Sequence, residues 1–432
     1  MNQPGTLFEP VPTDAAAIGP HSATLDRTAA AHEADDDVEA RQALGAYLVL
    51  RAIDRLIALQ REDSPEARDG FRFQVASVTR FVEDLPQVGH VEASHLAGLV
   101  KVLGAFDREG ERRLRIGLLA YSWHLEQAGH LEEALDVVGL SEPFYREAGP
   151  HELTNLGMTS GRFHRTLAHW DLADRSYQLG YESAEVRHDR RGMLLARLGR
   201  AKVLLGRGNL PEARRQIEGV IAEAEGKNLA DARACGYSDL AAVLEKMGMP
   251  AEAVHANYQA LMLFREPNER GRLFGNLGSG LRAIGMLDLS QIAFEQVLRE
   301  ASQWQPRLNA MIELTGIHAA HGDELAFRRY WSEVERDENR MAPSTAVDFH
   351  VTVASGLVRF GRPAVARRQL ELASGLAERH GLNAWYFTIE RLLQELDEGP
   401  ASIPSPKPDP AISKHEYLRE VADGLRRHAL SV

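Results

Sequence analysis

The sequence predicts an all-α chain, an α-solenoid of helical hairpins wound into a right-handed superhelix. Three observations carry that expectation. A turn position recurs along the chain, at Gly129, Ala168, Gly208, Gly248, Gly285, Gly322 and Gly361, spaced by 37 to 40 residues. A fixed period of this size marks stacked supersecondary units, each touching its neighbours, and not one closed globule. Between successive turns lie two apolar-periodic stretches of about fifteen residues, and no β-branched alternating run interrupts them, so no strand is expected.

The elements follow in order. Residues 1–36 are rich in Ala, Pro, Thr and Gly with little apolar periodicity, and read as a disordered leader. Acidic residues Glu33, Asp35, Asp36, Asp37 and Glu39 then mark where a helix begins that runs to about Arg61, since negative charge suits the positive end of the helix dipole. Ser64-Pro65-Glu66 opens the next, with Ser64 as its cap and Pro65 in the first turn. These segments form an N-terminal helical extension, 37–109, that includes a degenerate hairpin, because Gly89-His90-Val91-Glu92-Ala93 echoes Gly129-His130-Leu131-Glu132-Glu133-Ala134 forty residues on. The regular array spans 110–396. A proline-rich linker covers 397–412, and a last helix covers 413–432, with Ser413 to Glu416 fitting a capping box and Leu418, Val421, Ala422 and Leu425 as one stripe. That helix has three readings: a cap on the last hairpin, an occupant of the array's own groove, or a docking element for another protein.

Composition narrows the function. With 50 Lys and Arg against 62 Asp and Glu, the net charge is −12, which argues against nucleic acid as the primary ligand. One cysteine, Cys235, cannot form an internal disulfide or a cysteine metal cage; it is expected to be buried. Neither a secretory signal nor a run long enough to span a membrane is evident, and the expected location is the cytoplasm.

Aligned on the turn position, the seven units share a packing code. Seven residues before it stand Ser122, Gly161, Ala201, Ala241, Gly278, Thr315 and Ala354, all small. Five after it stand Ala134, Ala173, Ala213, Ala253, Ser290, Phe327 and Ala366, small except Phe327, beside which lies Ala326. Nine after it stand Val138, Tyr177, Ile217, Asn257, Phe294, Trp331 and Leu370, bulky except Asn257, which Tyr258 can replace. Helices approach closely where small side chains face one another, and a large one fills the space beyond.

This order of small residue, turn, alanine and bulky residue resembles the tetratricopeptide repeat over about residues 110–375. The period is longer than that family's usual 34 residues, and longer repeats are similar to those of signalling members, including bacterial peptide-sensing regulators. The resemblance implies a groove lined by the first helix of each hairpin, with Trp123, Glu126, Asn155, Arg162, Arg165, Lys202, Asn276, Arg282, Asn309 and Arg359 at ligand-facing positions. Arg162, Arg165 and Lys202, on adjacent units, suit an acidic peptide; the alternative is a solvated helix face. The asparagine that chaperone-tail binders place two positions after the conserved leucine has no counterpart among Trp123, Arg162, Lys202, Ala242, Ser279, Gly316 and Ser355, which argues against that ligand.

Other motifs have plainer readings. His318 and His321, three apart, could share a metal, but His318 and His164 occupy a position held elsewhere by leucine and fit a partly buried hydrogen-bonding role. Gly275-Asn276-Leu277-Gly278-Ser279-Gly280 looks like a phosphate loop, yet it lies inside a first helix, where tight packing is the simpler reason for glycine. No catalytic constellation, cofactor or metal site is expected. The expected function is that of a protein- or peptide-binding adaptor or scaffold, capable of homo-oligomerisation; the alternative is a regulator that switches partner affinity by changing superhelical pitch.

Overall fold

The computed structural model describes residues 20–61, 64–85, 91–145, 148–398 and 415–430. The proline-rich segment 399–411 and Ser413 lie outside them. Among the described residues there are twenty α-helices and no strand. The chain divides into two compact units, residues 1–216 and 217–432, with the boundary inside one helix.

In the first unit run α1 (Ser22–Glu33), α2 (Asp37–Arg61), α3 (Pro65–Glu83), α4 (Val91–Gly104), α5 (Arg108–Ala128), α6 (Leu131–Ser141), α7 (Pro150–Thr166), α8 (Trp170–Val186) and α9 (Arg190–Gly206); α10 (Leu210–Gly226) crosses the boundary. The second unit holds α11 (Ala230–Lys246), α12 (Pro250–Leu263), α13 (Pro267–Ala283), α14 (Leu287–Glu300), α15 (Trp304–His321), α16 (Glu324–Glu335), α17 (Pro343–Arg359), α18 (Pro363–Arg379), α19 (Asn383–Asp397) and α20 (Glu416–Leu430). Helices pack in chain order as hairpins, α3 on α4, α5 on α6, α7 on α8, α11 on α12, α13 on α14, α15 on α16 and α17 on α18. Each unit is therefore a stack of helical hairpins, the expected fold class.

The turn code is physical. All seven marker positions have positive φ, from 59° at Ala168 to 90° at Gly129. That conformation closes the first helix and reverses the chain; Ala168 adopts it despite its Cβ. The return turns use the same device at His188, Asn228 and Gly381. The small positions are buried, and the bulky ones lie on them. A Cβ on Gly161 would sit 2.9 Å from the Tyr177 ring, and one on Gly199 would sit 2.4 Å from it, so Tyr177 fills the space between successive first helices. Phe294 covers Gly278 in the same way, and the Ser290 hydroxyl donates to the Gly278 carbonyl at 2.8 Å. In α7 and α8 the backbones themselves touch: a Cβ on Gly157 would lie 2.6 Å from the Ser176 carbonyl oxygen.

The exceptions to the packing code are accommodated. Phe327 is buried at its position, and Gly356 of α17 makes room for its ring. Asn257 and Tyr258 are both buried, and Trp331 is only half-buried. The supposed leader contains α1, which lies against α2 and α6. Apolar periodicity could not reveal α1, because its attachment is ionic. The His21 ring, just before it, donates to Asp136 at 2.5 Å and to Asp54 at 3.1 Å. The Arg27 guanidinium reaches Glu92 at 2.7 Å and Glu133 at 3.4 Å, and the Tyr121 hydroxyl donates to Glu92 at 2.6 Å. Burial opposes the His21 charge, but its two aspartates outweigh that and push its pKa up to about 9. Burial raises Glu133 to about 7, while the Arg27 charge holds Glu92 below the usual carboxylate range against its own burial.

At the other end, α20 settles among the three readings in an unforeseen way. It packs on α12 and α14, the second helices of two internal hairpins. Leu418, Val421, Ala422 and Leu425 are all buried there. Gly424 leaves the space that the Tyr258 hydroxyl occupies, since a Cβ would come within 2.0 Å of it. The helix neither covers the final hairpin nor lies on the first-helix face.

Candidate functional site: the first-helix face

Each unit presents a face built from first helices. In the first unit that face is cross-braced. The Trp123 indole N–H of α5 donates to the Thr159 hydroxyl of α7 at 3.2 Å. One turn on, Arg162 of α7 binds Glu126 of α5 through two hydrogen bonds of 2.7 Å. Two parallel N–H···O bonds are the strongest geometry a guanidinium makes with a carboxylate. Arg162 is therefore already neutralised, and the expected trio of cations awaiting an acidic ligand is reduced. Arg165 stands next to buried His164 and is half-buried; Lys202 of α9 is half-buried and engaged within the protein. Asn155 is exposed on α7, and Trp123 remains 42% exposed despite its hydrogen bond.

In the second unit the face opens into a cleft of about 450 Å³ between α13, α15, α17 and α19. Its walls bring Asn276 and Asn309 together, two of the residues singled out by the repeat pattern, with Arg272, Glu313, Asp348 and Trp385. Gly275 lies in the wall, where a Cβ would meet only Val297 at 3.9 Å, whereas Gly278 and Gly280 pack against Phe294 and Val254. The glycine run is thus mainly a packing device inside a helix, with one member opening the cleft. Arg282 binds Glu313 at 3.0 Å, so this cation too is paired. Arg359 is half-buried and engaged within the protein.

Glu313 and Asp348 were missed by the sequence reading. A signal existed: thirteen and nine residues before the turn, one helical turn apart, stand Arg272 and Asn276, then Asn309 and Glu313, and then, at the thirteen position of the next hairpin, Asp348. Burial pushes both carboxyls above their usual range; the Arg282 charge pulls both back, and the Asp348 charge adds to the rise of Glu313.

The remaining candidates sit elsewhere. His318 is buried, stacked on Tyr330 with its Nδ1 3.6 Å from Asp323, while His321 faces Asp288 at 3.2 Å, so the two serve different partners. His164 departs from expectation: neither ring nitrogen has a hydrogen-bond partner, and burial, with the nearby His169, lowers its pKa to about 4. Cys235 is half-buried, not buried. Among the described residues no group of three or more His, Cys, Asp or Glu is placed to hold a metal, and no helix is long and apolar enough to cross a membrane.

No protein-family model and no curated protein sequence matches the chain. Among solved structures it is similar to a Rap protein complexed with competence and sporulation factor, at 11% identity and a TM-score of 0.43 over 84% of this chain and 98% of that one. It is also similar to the apo form of the quorum sensor NprR from B. thuringiensis, at 13% identity and 0.47 over 83% and 97%. A third similarity is to a signal transduction ATPase with a tetratricopeptide repeat sensor from Pyrococcus horikoshii, at 11% identity and 0.48 over 79% and 56%. Identities and scores this low transfer no function to this chain.

Proposed function

We propose that this chain is a tetratricopeptide-type adaptor or scaffold of the cytoplasm that binds a protein or peptide segment on the first-helix face of its hairpins. The observation that supports it best is the cleft between α13, α15, α17 and α19. Its carboxamides, Asn276 and Asn309, are exposed, and a carboxamide offers both donors and an acceptor to a peptide backbone. Trp385 supplies an apolar wall that can seat a side chain. Polar groups that converge in an open concave wall suit an extended segment better than a small molecule sealed from water.

The test is selection of phage-displayed peptides on the immobilised full chain. Enriched peptides are expected, with affinity reduced about tenfold or more by Asn276→Ala with Asn309→Ala. Failure to enrich any sequence, or equal binding to the double variant, would overturn the reading. Small-angle scattering with an enriched peptide separates a scaffold from a regulator: unchanged dimensions fit the scaffold, and a change of dimensions fits a pitch switch, which requires the ligand to favour one pitch.

A further inference from the structure

The sequence led to the expectation of an acidic partner, on the strength of Arg162, Arg165 and Lys202. The cleft of the second unit points the other way. We propose that the segment bound there carries a cation, an arginine or lysine side chain, seated against Asp348 and Glu313. This rests on the reading of the cleft as a peptide site and adds the charge of its occupant.

Charge balance carries the argument. The wall holds two carboxylates, Glu313 on α15 and Asp348 on α17. One guanidinium serves them: Arg282 bonds to Glu313 at 3.0 Å and acts on Asp348 through space alone. The cation of the wall itself, Arg272, is held at 2.9 Å by Glu269 of its own helix. Asp348 itself makes no hydrogen bond or ion pair with any described residue, although it is half-buried. A half-buried carboxylate that lacks a partner costs free energy, and a ligand cation returns it. An acidic side chain in the same place would meet the unpartnered charge of Asp348 in a partly desolvated wall, which is repulsive. Trp385, in the same lining, offers an aromatic face, and guanidinium stacks on such faces more readily than ammonium. The geometry therefore favours arginine over lysine.

The experiment uses three pools of acetylated, amidated nonapeptides, randomised except for a central Arg, Glu or Ala, captured by the full-length protein near neutral pH and quantified by mass spectrometry. The Arg pool is expected to be retained about tenfold over the Ala pool, and the Glu pool least. Asp348→Asn keeps shape and removes charge; it should abolish the preference for Arg over Ala. Glu313→Gln provides a second variant, and thermal melts verify that both remain folded. Equal capture of all three pools, lost in the Asn276→Ala with Asn309→Ala variant, would overturn the cation assignment and leave the peptide site standing. A preference for Arg that survives both charge-removing variants would place the cation elsewhere and overturn it also. Capture of no pool would overturn both readings.

Discussion

The first and the last of the described helices are attached by opposite means. The N-terminal helix α1 buries only Thr24 and Ala31 of its own residues. It is fixed by Arg27, between Glu92 and Glu133, and by His21, between Asp54 and Asp136. The C-terminal helix α20 is fixed by Leu418, Val421, Ala422 and Leu425, set into the groove of α12 and α14. Burial of a leucine or valine contributes roughly 1.5–3 kcal/mol, whatever surrounds it. A buried ion pair is conditional, because its attraction must exceed the desolvation of both partners. The contrast teaches that an apolar stripe announces itself in sequence, while an ionic anchor is defined only by the residues it meets.

Removal of one ion should expose this most sharply. Arg27→Ala leaves Glu92 and Glu133 buried without their cation, and the expected loss is about 3–5 kcal/mol. Urea melts should register part of it, and hydrogen exchange should show protection lost first over residues 22–33. A loss below about 1 kcal/mol would mean that α1 is held by something else. Leu425→Ala should weaken α20 by about 2–5 kcal/mol through lost contact and a cavity. Here the exchange change should appear over residues 416–430.

A change of pH should separate the two ends further. His21 titrates at about 9, above its ordinary 6.5. Its contribution is therefore whole below about 6.5 and is lost as pH rises through about 9. Asp54, on the other side, is held below its usual range by the His21 and Arg51 charges, against its burial, so its contribution is lost only in acid. Attachment of α1 should weaken by on the order of 2 kcal/mol between pH 6.5 and 9.5, once the partial exposure of the aspartates is discounted. Exchange rates of α1, corrected for intrinsic pH dependence, provide the measurement; a flat profile would contradict the role of His21. The smallest effect should come from the largest replacement. Arg27→Met, Glu92→Leu, Glu133→Leu and Tyr121→Phe together turn the ionic anchor into an apolar one, and stability should fall within about 1 kcal/mol of the natural chain.

Legibility follows the same division. The turns at Gly129 through Gly361 were readable because a positive φ selects glycine at a fixed period. The small positions were readable because close helix contact excludes volume. Helix α2 was read as opening within the acidic cluster from Glu33 to Glu39 and running to about Arg61; it runs from Asp37 to Arg61. In the candidate site, Asn276 and Asn309 were read from the repeat register, and the cleft brings them together. Glu313 and Asp348 were not, although they share that register, since nothing in a charge at one position says which neighbour neutralises it. Arg162 and Arg282 were read as ligand-facing positions, and Glu126 and Glu313 prove to hold them.

The sequence by itself determined the all-α class, the hairpin period and the apolar stripe of α20, because these rest on local φ preferences and on side-chain volume repeated at fixed spacing. Only the tertiary structure decided where α20 docks, that α1 exists as an anchored helix, and which charges of the first-helix face remain uncompensated. Electrostatic balance depends on distance and desolvation between residues tens of positions apart, and no spacing along the chain encodes either.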